Sequence, residues 1–278
     1  MKLYKTTSAI VIEKDGSYYV IKNENWDTFL NDDALFSKLS KIIATQAPAA
    51  EATELLKREL QAPIQSQEIW ASGVTYYRSK VGRQEESKES GGGDFYARVY
   101  EAERPEIFFK ATAHRTVGPG GKVRIRKDST WDVPEPELTL VVTSSGKITG
   151  YTIGNDMSSR SIEGENPLYL PQAKTYDGSA SLGPCIFVTD DPLPADTLIQ
   201  IEINRQSKNV FKGEVAINQI KRKFTELVSF LFRECSFPNG AFLMTGTGIV
   251  PGNDFTLRQG DEMRITIQPI GTLINTVA

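Results

Sequence analysis

The stretch that most constrains the fold runs from Glu137 to Asp156, "ELTLVVTSSGKITGYTIGND": an apolar run, a Ser-Ser-Gly turn and a second apolar run. Leu138, Leu140, Val141 and Val142 suit a pleated, buried surface, so two antiparallel strands joined tightly are expected. With Ser145-Gly146 as a two-residue turn, Asp156 falls opposite Glu135 and Gly154 opposite Glu137. Glu135 and Glu137 are two apart in "WDVPEPEL", so an extended chain sends both side chains to one face. Three carboxylates then meet at one sheet end, where like charges repel unless something positive lies between them. An oxygen-only ligand set suits Mg²⁺ or Mn²⁺. A solvated acidic strand end, with Asp156 capping the next turn, is the competing reading. Glycine opposite Glu137 is expected to leave room for something other than a side chain.

Downstream, Arg160 and Glu163 fall on one face of a short helical turn, and Lys174 follows in an irregular segment bounded by proline and glycine. Cations beside a carboxylate-held metal suit an anionic substrate, although charge balance alone also explains them. Zinc is not indicated, because His114 is the only histidine and two cysteines cannot complete a usual zinc set. Cys185 in "GPCIFV" and Cys235 in "FLFRECSF" read as buried, reduced core residues. His114 reads as a surface residue, or one standing behind the site, beyond the strand "EIFFK", in which Glu106, Phe108 and Lys110 share one face. Glu106 is a candidate acid or base and equally a solvated strand end.

The chain's 278 residues allow one large domain or a large and a small one. Residues 1–66 read as a small α/β unit, with a hairpin at Asp15-Gly16 and helices near Thr28 to Lys41 and Ala49 to Leu60. Residues 67–278 read as a strand-rich catalytic domain, so the fold class expected is α+β, mainly β. The exception is a helix from Asn218 to Ser236, with Asn218 as its cap and Ile220, Phe224, Leu227 and Leu231 as its apolar stripe. Arg83 to Asp94, "RQEESKESGGGD", reads as a mobile loop, either a cover over the site or a solvated insertion.

No apolar run is long enough for a membrane span or a secretory signal, which gives a cytoplasmic protein as the expectation. A net charge of -3 argues against nucleic acid and leaves a small molecule as the expected partner. "VGPGGKV" lacks phosphate-loop spacing and "GTGIVPG" lacks the strand and helix of a dinucleotide site, so no nucleotide is expected.

Four motifs, "PEPELTLVV", "GYTIGNDMSSR", "ENPLYLPQAKTYDGSASLGP" and "LMTGTGIVPG", resemble the fumarylacetoacetate hydrolase superfamily from about Trp70 to the C-terminus. The resemblance implies a mixed β-sandwich roll and a Mg²⁺ ion, with Mn²⁺ as an alternative, held by Glu135, Glu137 and Asp156. It also implies Lys174 near the metal, Thr247 against a substrate carboxylate, and a homodimer or a dimer of dimers. The phrasing is nearest to the family's dehydratase branch. That implies loss of water from 2-keto-3-deoxy-D-arabinonate through a metal-stabilised enolate, giving 2,5-dioxopentanoate. In that scheme Lys174 stabilises charge or takes a proton, Glu163 or Glu106 protonates the leaving hydroxyl, and Arg160 orients the acid. Hydrolytic members carry a His and a Glu on a lid helix to deprotonate water, whereas "SGVTYYRSKVGRQEE" has no histidine. An acylpyruvate-type C–C hydrolase, a 2-oxo acid decarboxylase and a non-catalytic 2-oxo acid binding protein stay open as alternatives.

Overall fold

The computed structural model describes residues 1–86 and 98–278. The main strands are β1 (Lys2–Lys5), β2 (Ala9–Lys14), β3 (Ser17–Lys22), β4 (Glu68–Gly73), β5 (Glu106–Thr112), β6 (Pro136–Val142) and β7 (Ile148–Asp156). They continue with β8 (Ala180–Phe187), β9 (Leu198–Arg205), β10 (Lys208–Ala216), β11 (Ala241–Met244), β12 (Glu262–Ile267) and β13 (Gly271–Val277). The helices are α1 (Trp26–Leu30), α2 (Leu35–Thr45), α3 (Ala52–Glu59), α4 (Tyr77–Glu86), α5 (Arg160–Glu165), α6 (Leu170–Lys174) and α7 (Phe224–Leu231).

A ten-stranded sheet runs β3-β2-β1-β8-β7-β6-β11-β4-β5, with the two-residue strand Thr116–Val117 beside β8. The β11–β4 pair is parallel, so the sheet is mixed. A second sheet runs β10-β9-β12-β13 and ends on Lys122–Val123. Leu138, Leu140, Val142 and Ile153 of the large sheet pack with Ile199, Ile201, Ile203, Met263 and Ile265 of the second in one buried cluster. The alternation of β6 sends Val141 to the other side, where Leu182, Ile186 and Phe242 bury Trp26, Phe29, Leu35 and Leu39 of the N-terminal helices. This is the mainly β sandwich expected. Residues 1–66, read from the sequence as a unit of their own, contribute three strands to the shared sheet through the β1–β8 pair and share this second core cluster.

The β6–β7 hairpin reaches the expected register by an unexpected route. Gly154 pairs with Glu137 and Asn155 with Pro136, and the Asp156 amide donates to the Glu135 carbonyl at 3.0 Å. The turn, however, closes between Thr143 and Lys147, one residue longer than Ser145-Gly146 alone requires. A bulge between Ile148 and Gly150 then takes up the extra residue, so the two departures cancel. Gly146 adopts φ +83°, which favours glycine.

Elsewhere local chemistry overrides periodicity. The helix expected from Thr28 to Lys41 is two helices, because Asn25 caps α1 and Asp32 accepts the Ala34 amide in a turn between them. The break frees Asn31 and Asp33 to hold the β6–β7 turn: Asn31 accepts from the Ser144 amide at 2.7 Å, and Asp33 from the Thr143 and Ser145 hydroxyls at 2.5 and 2.8 Å. The helix expected from Asn218 to Ser236 is shortened to α7. Asn218 sits in a 3-10 turn (Ile217–Gln219), and Lys223 occupies the cap position. The helix therefore ends before Cys235, which is exposed rather than buried, while Cys185 is buried as expected. Of Arg83 to Asp94, the first four residues end α4 instead of forming a loop, and Ser87 onward lies outside the described residues. No helix among the described residues is long and apolar enough to cross a membrane.

Hydrogen bonds from Thr143 and Ser145, with Lys147 nearby, hold the Asp33 carboxyl below the usual carboxylate range. A folded-state pKa below the unfolded value stabilises the fold above about 3.9 and loses that contribution as pH falls through the folded value. Asp33→Ala is expected to cost about 1 kcal/mol at pH 7, a small figure because the site is solvent-exposed. Urea unfolding checks it, and the wild-type advantage shrinks below about pH 4.

Candidate metal centre

Glu135, Glu137 and Asp156 are all buried, and one carboxylate oxygen from each lies within 4.8 Å of the others. The extended backbone puts the two glutamates on one face, and the β6–β7 register brings Asp156 beside them, as read from the sequence. Glu137 is the least compensated of the three: its Oε2 accepts the Gly246 amide at 2.6 Å. Burial, followed by repulsion from Asp156 and Glu135, pushes the Glu137 carboxyl well above its ordinary range. Burial acts on Asp156 in the same direction but is outweighed by the Lys110 and Lys174 ammoniums, which hold its pKa low. A buried all-oxygen set carrying a poorly compensated charge fits a hard divalent cation.

Helix α5 begins where the chain leaves the hairpin and places Arg160 and Glu163 three apart on one face, both buried. Arg160 Nη2 donates to Glu135 Oε1 at 2.7 Å, and its Nε lies 3.8 Å from Glu163. Lys174, the last residue of α6, is fully buried. Its Nζ donates to Glu135 Oε2 at 2.7 Å, Ser158 Oγ at 2.5 Å and Asp156 Oδ2 at 3.3 Å, and stands 3.8 Å from Glu163. Three acceptors match the three hydrogens of an ammonium, so here Lys174 is a donor and a charge partner.

The remaining candidates are placed less directly. Glu106 opens β5 opposite Gly73, where a Cβ would meet its Oε2 at 2.1 Å; glycine there makes the room this carboxyl occupies. Thr247 is buried, but its hydroxyl is engaged with the Ile249 backbone, accepting its amide at 3.1 Å. His114 is exposed on a 3-10 turn. The space at Gly154 serves packing: a Cβ there would meet Thr139 Oγ1 at 2.3 Å and Met244 Cε at 2.9 Å. That corrects the expectation of room for a ligand opposite Glu137.

Two contributors went unassigned in the sequence. Ser158 holds the Lys174 ammonium, as above. Lys110 is fully buried, forms an ion pair with Asp156 Oδ1 at 2.6 Å and donates to the Met157 carbonyl at 2.9 Å. Burial lowers its pKa while Asp156 opposes the shift. The signal was present in "EIFFKAT", where Lys110 lies on the same strand face as Glu106 and Phe108.

The profile described as Fumarylacetoacetate (FAA) hydrolase C-terminal matches residues 75–278, and the chain belongs to this family. It is 39% identical over 292 residues to the 2-dehydro-3-deoxy-D-arabinonate dehydratase of Saccharolobus solfataricus, covering 100% of this chain and 96% of that one. It is 47% identical over 238 residues to a probable 2-keto-3-deoxyxylonate dehydratase of Haloferax volcanii, covering 82% of this chain and 81% of the relative. A solved 2-keto-3-deoxy-D-arabinonate dehydratase, complexed with magnesium and 2,5-dioxopentanoate, superposes with a TM-score of 0.86 at 37% identity, covering 100% of this chain and 98% of that one.

Replacing Glu135 by Gln removes a carboxylate charge from the candidate centre and leaves Arg160 and Lys174 short of a partner. Mn²⁺ binding, followed by electron paramagnetic resonance, is expected to weaken at least about tenfold. Unchanged affinity would remove Glu135 from the centre.

Proposed function

We propose that the protein is a Mg²⁺-dependent dehydratase that converts 2-keto-3-deoxy-D-arabinonate to 2,5-dioxopentanoate and water. The observation that carries the reading is a buried cluster of carboxylates and cations in a chain whose single histidine lies on an exposed turn. That arrangement suits enolisation of a 2-oxo acid and offers no histidine to activate water. The relatives support the same substrate. With C2 a ketone and C3 a methylene, C4 is the only stereocentre left, so the D-series names built on xylonate and arabinonate denote one compound.

Bound among Glu135, Glu137 and Asp156, a divalent ion supplies Lewis acidity toward the 2-oxo carboxylate. The protein does the rest. Arg160 and Lys174 bring positive charge to the substrate carboxylate and to the negative charge developing on the ketone oxygen. A proton leaves C3, and the C4 hydroxyl departs as water once protonated. A further proton moves from C5 toward C3, and the resulting 5-enol tautomerises to the aldehyde. Lys174 faces Glu163 at 3.8 Å as a charge partner, which places both groups on the side where the protons move. Glu106, on the Lys110 face of β5, is the carboxyl assigned to the far end of the five-carbon chain. Thr247, next to the Gly246 amide that holds Glu137, is assigned to the substrate carboxylate. The proposal places the enzyme in the cytoplasm, in keeping with two free cysteines.

The test is to incubate the protein with 2-keto-3-deoxy-D-arabinonate in Mg²⁺ or in EDTA, coupling the product to a semialdehyde dehydrogenase. Semialdehyde formed only with metal is the expected result. No turnover in Mg²⁺, with pyruvate released from acylpyruvates or oxaloacetate, would move the protein to the hydrolase or decarboxylase branch.

A further inference from the structure

Lys110 is a buried cation of the cluster to which the chemistry above gives no role. Its position is built by a backbone irregularity: Trp70 pairs with Phe109 and Ile69 with Ala111, leaving Lys110 as the extra residue of a β-bulge. Bulges re-aim side chains. The Lys110 ammonium donates to the Met157 carbonyl at 2.9 Å and to the Lys174 carbonyl, and pairs electrostatically with Asp156 Oδ1 at 2.6 Å. Two carbonyls and one carboxylate thus surround the ammonium. Lys174 closes α6, and a carbonyl in the last turn of a helix has no partner within that helix. Asp156 in turn accepts from the Lys174 ammonium through Oδ2 at 3.3 Å. The result is a closed ring: Lys110 grips Asp156 and the Lys174 main chain, and the Lys174 side chain grips Asp156.

The charges give the ring a second consequence. Four buried carboxylates, Glu135, Glu137, Asp156 and Glu163, accompany three buried cations, Lys110, Arg160 and Lys174; Glu106, half-buried and read as a proton donor to the leaving hydroxyl, is counted as neutral. Fully ionised, they carry one negative charge in excess. A divalent ion turns this into one positive charge, which a 2-oxo acid monoanion cancels; without Lys110 the loaded centre is already neutral and has no charge left for the substrate.

We propose that Lys110 is a positioning residue: it fixes the metal ligand Asp156 and the substrate-facing Lys174 relative to each other, and supplies the charge that matches the loaded centre to a monoanion. This rests on the dehydratase reading. The experiment compares the full chain with its Lys110→Met and Lys110→Arg variants, measuring far-ultraviolet circular dichroism, binding of Mn²⁺ alone, and kcat and KM at saturating Mg²⁺. In Lys110→Met, Mn²⁺ affinity is expected to hold, because the centre becomes more negative, while kcat falls about 100-fold as the ring loosens. KM rises about tenfold with the lost charge. Lys110→Arg keeps the charge but not the single point of donation, so KM returns toward wild type while kcat stays low. A purely structural role does not separate the two constants in this way.

Wild-type kcat and KM in Lys110→Met overturn the inference, as does a loss of Mn²⁺ binding whose effect on kcat disappears at saturating metal. If Lys110→Met does not fold, Lys110→Arg decides: low kcat with normal KM supports the inference, and two normal constants overturn it. The wild-type rate separates the two readings, since an inactive wild type overturns the dehydratase assignment and this inference with it. An active wild type with an unaffected Lys110→Met overturns this inference alone.

Discussion

The structure depends on tolerating three carboxylates at the end of two neighbouring strands. Removing a carboxylate from water costs several kcal/mol unless a partner repays it, and the other two deepen that cost by repulsion. Lys110 and Lys174 answer Asp156, while Arg160 and Lys174 answer Glu135. Glu137 is answered more weakly, by the Gly246 amide and the more distant charge of Lys174, and burial with repulsion from Asp156 and Glu135 pushes its pKa up. Placing the weakest compensation there keeps a demand for a cation in the centre. Buried ion pairs are weak evidence for stability, so the retention of seven charged groups points to chemistry rather than to scaffold strength.

The scaffold gives that arrangement rigidity. All residues of β6 are buried, with β7 on one side and β11 on the other, and each face is covered by a separate apolar cluster. A one-residue slip of β7 would carry Asp156 to the opposite face and dissolve the centre. Register is therefore secured at the far end of the hairpin, where Asn31 and Asp33 grip the turn. The N-terminal residues thus act on the carboxylate cluster from a distance, through the hairpin they hold.

The sequence made the register legible because it depends on total residue number between Glu135 and Asp156, and the longer turn and the bulge compensate each other. It made Arg160 and Glu163 legible because a short helix obeys simple spacing, whereas Lys174, read in an irregular segment and placed by family resemblance, in fact closes α6. The break between α1 and α2 was hidden, since it comes from Asn and Asp side chains choosing backbone partners over helix continuation. Asn218 failed as a cap because the chain forms a separate 3-10 turn there before α7 begins. Lys110 was seen on the right strand face but given no partner, because its acceptors come from residues 156, 157 and 174, and only the tertiary fold brings these to one point.

The charge pattern also bears on which reaction such a centre favours. Hydrolysis of a C–C bond needs a base free to take a proton from water, placed within hydrogen-bond reach of it. Arg160 and Lys174 are committed to Glu135, and Asp156 is held between two ammoniums. Dehydration makes a smaller demand. It moves protons among atoms of the substrate itself, and groups linked by short contacts can take a proton at one carbon and return it at another. A cluster of mutually paired acids and ammoniums, with Lys174 facing Glu163 at 3.8 Å, is better suited to stabilising the charge of an enolate than to generating hydroxide.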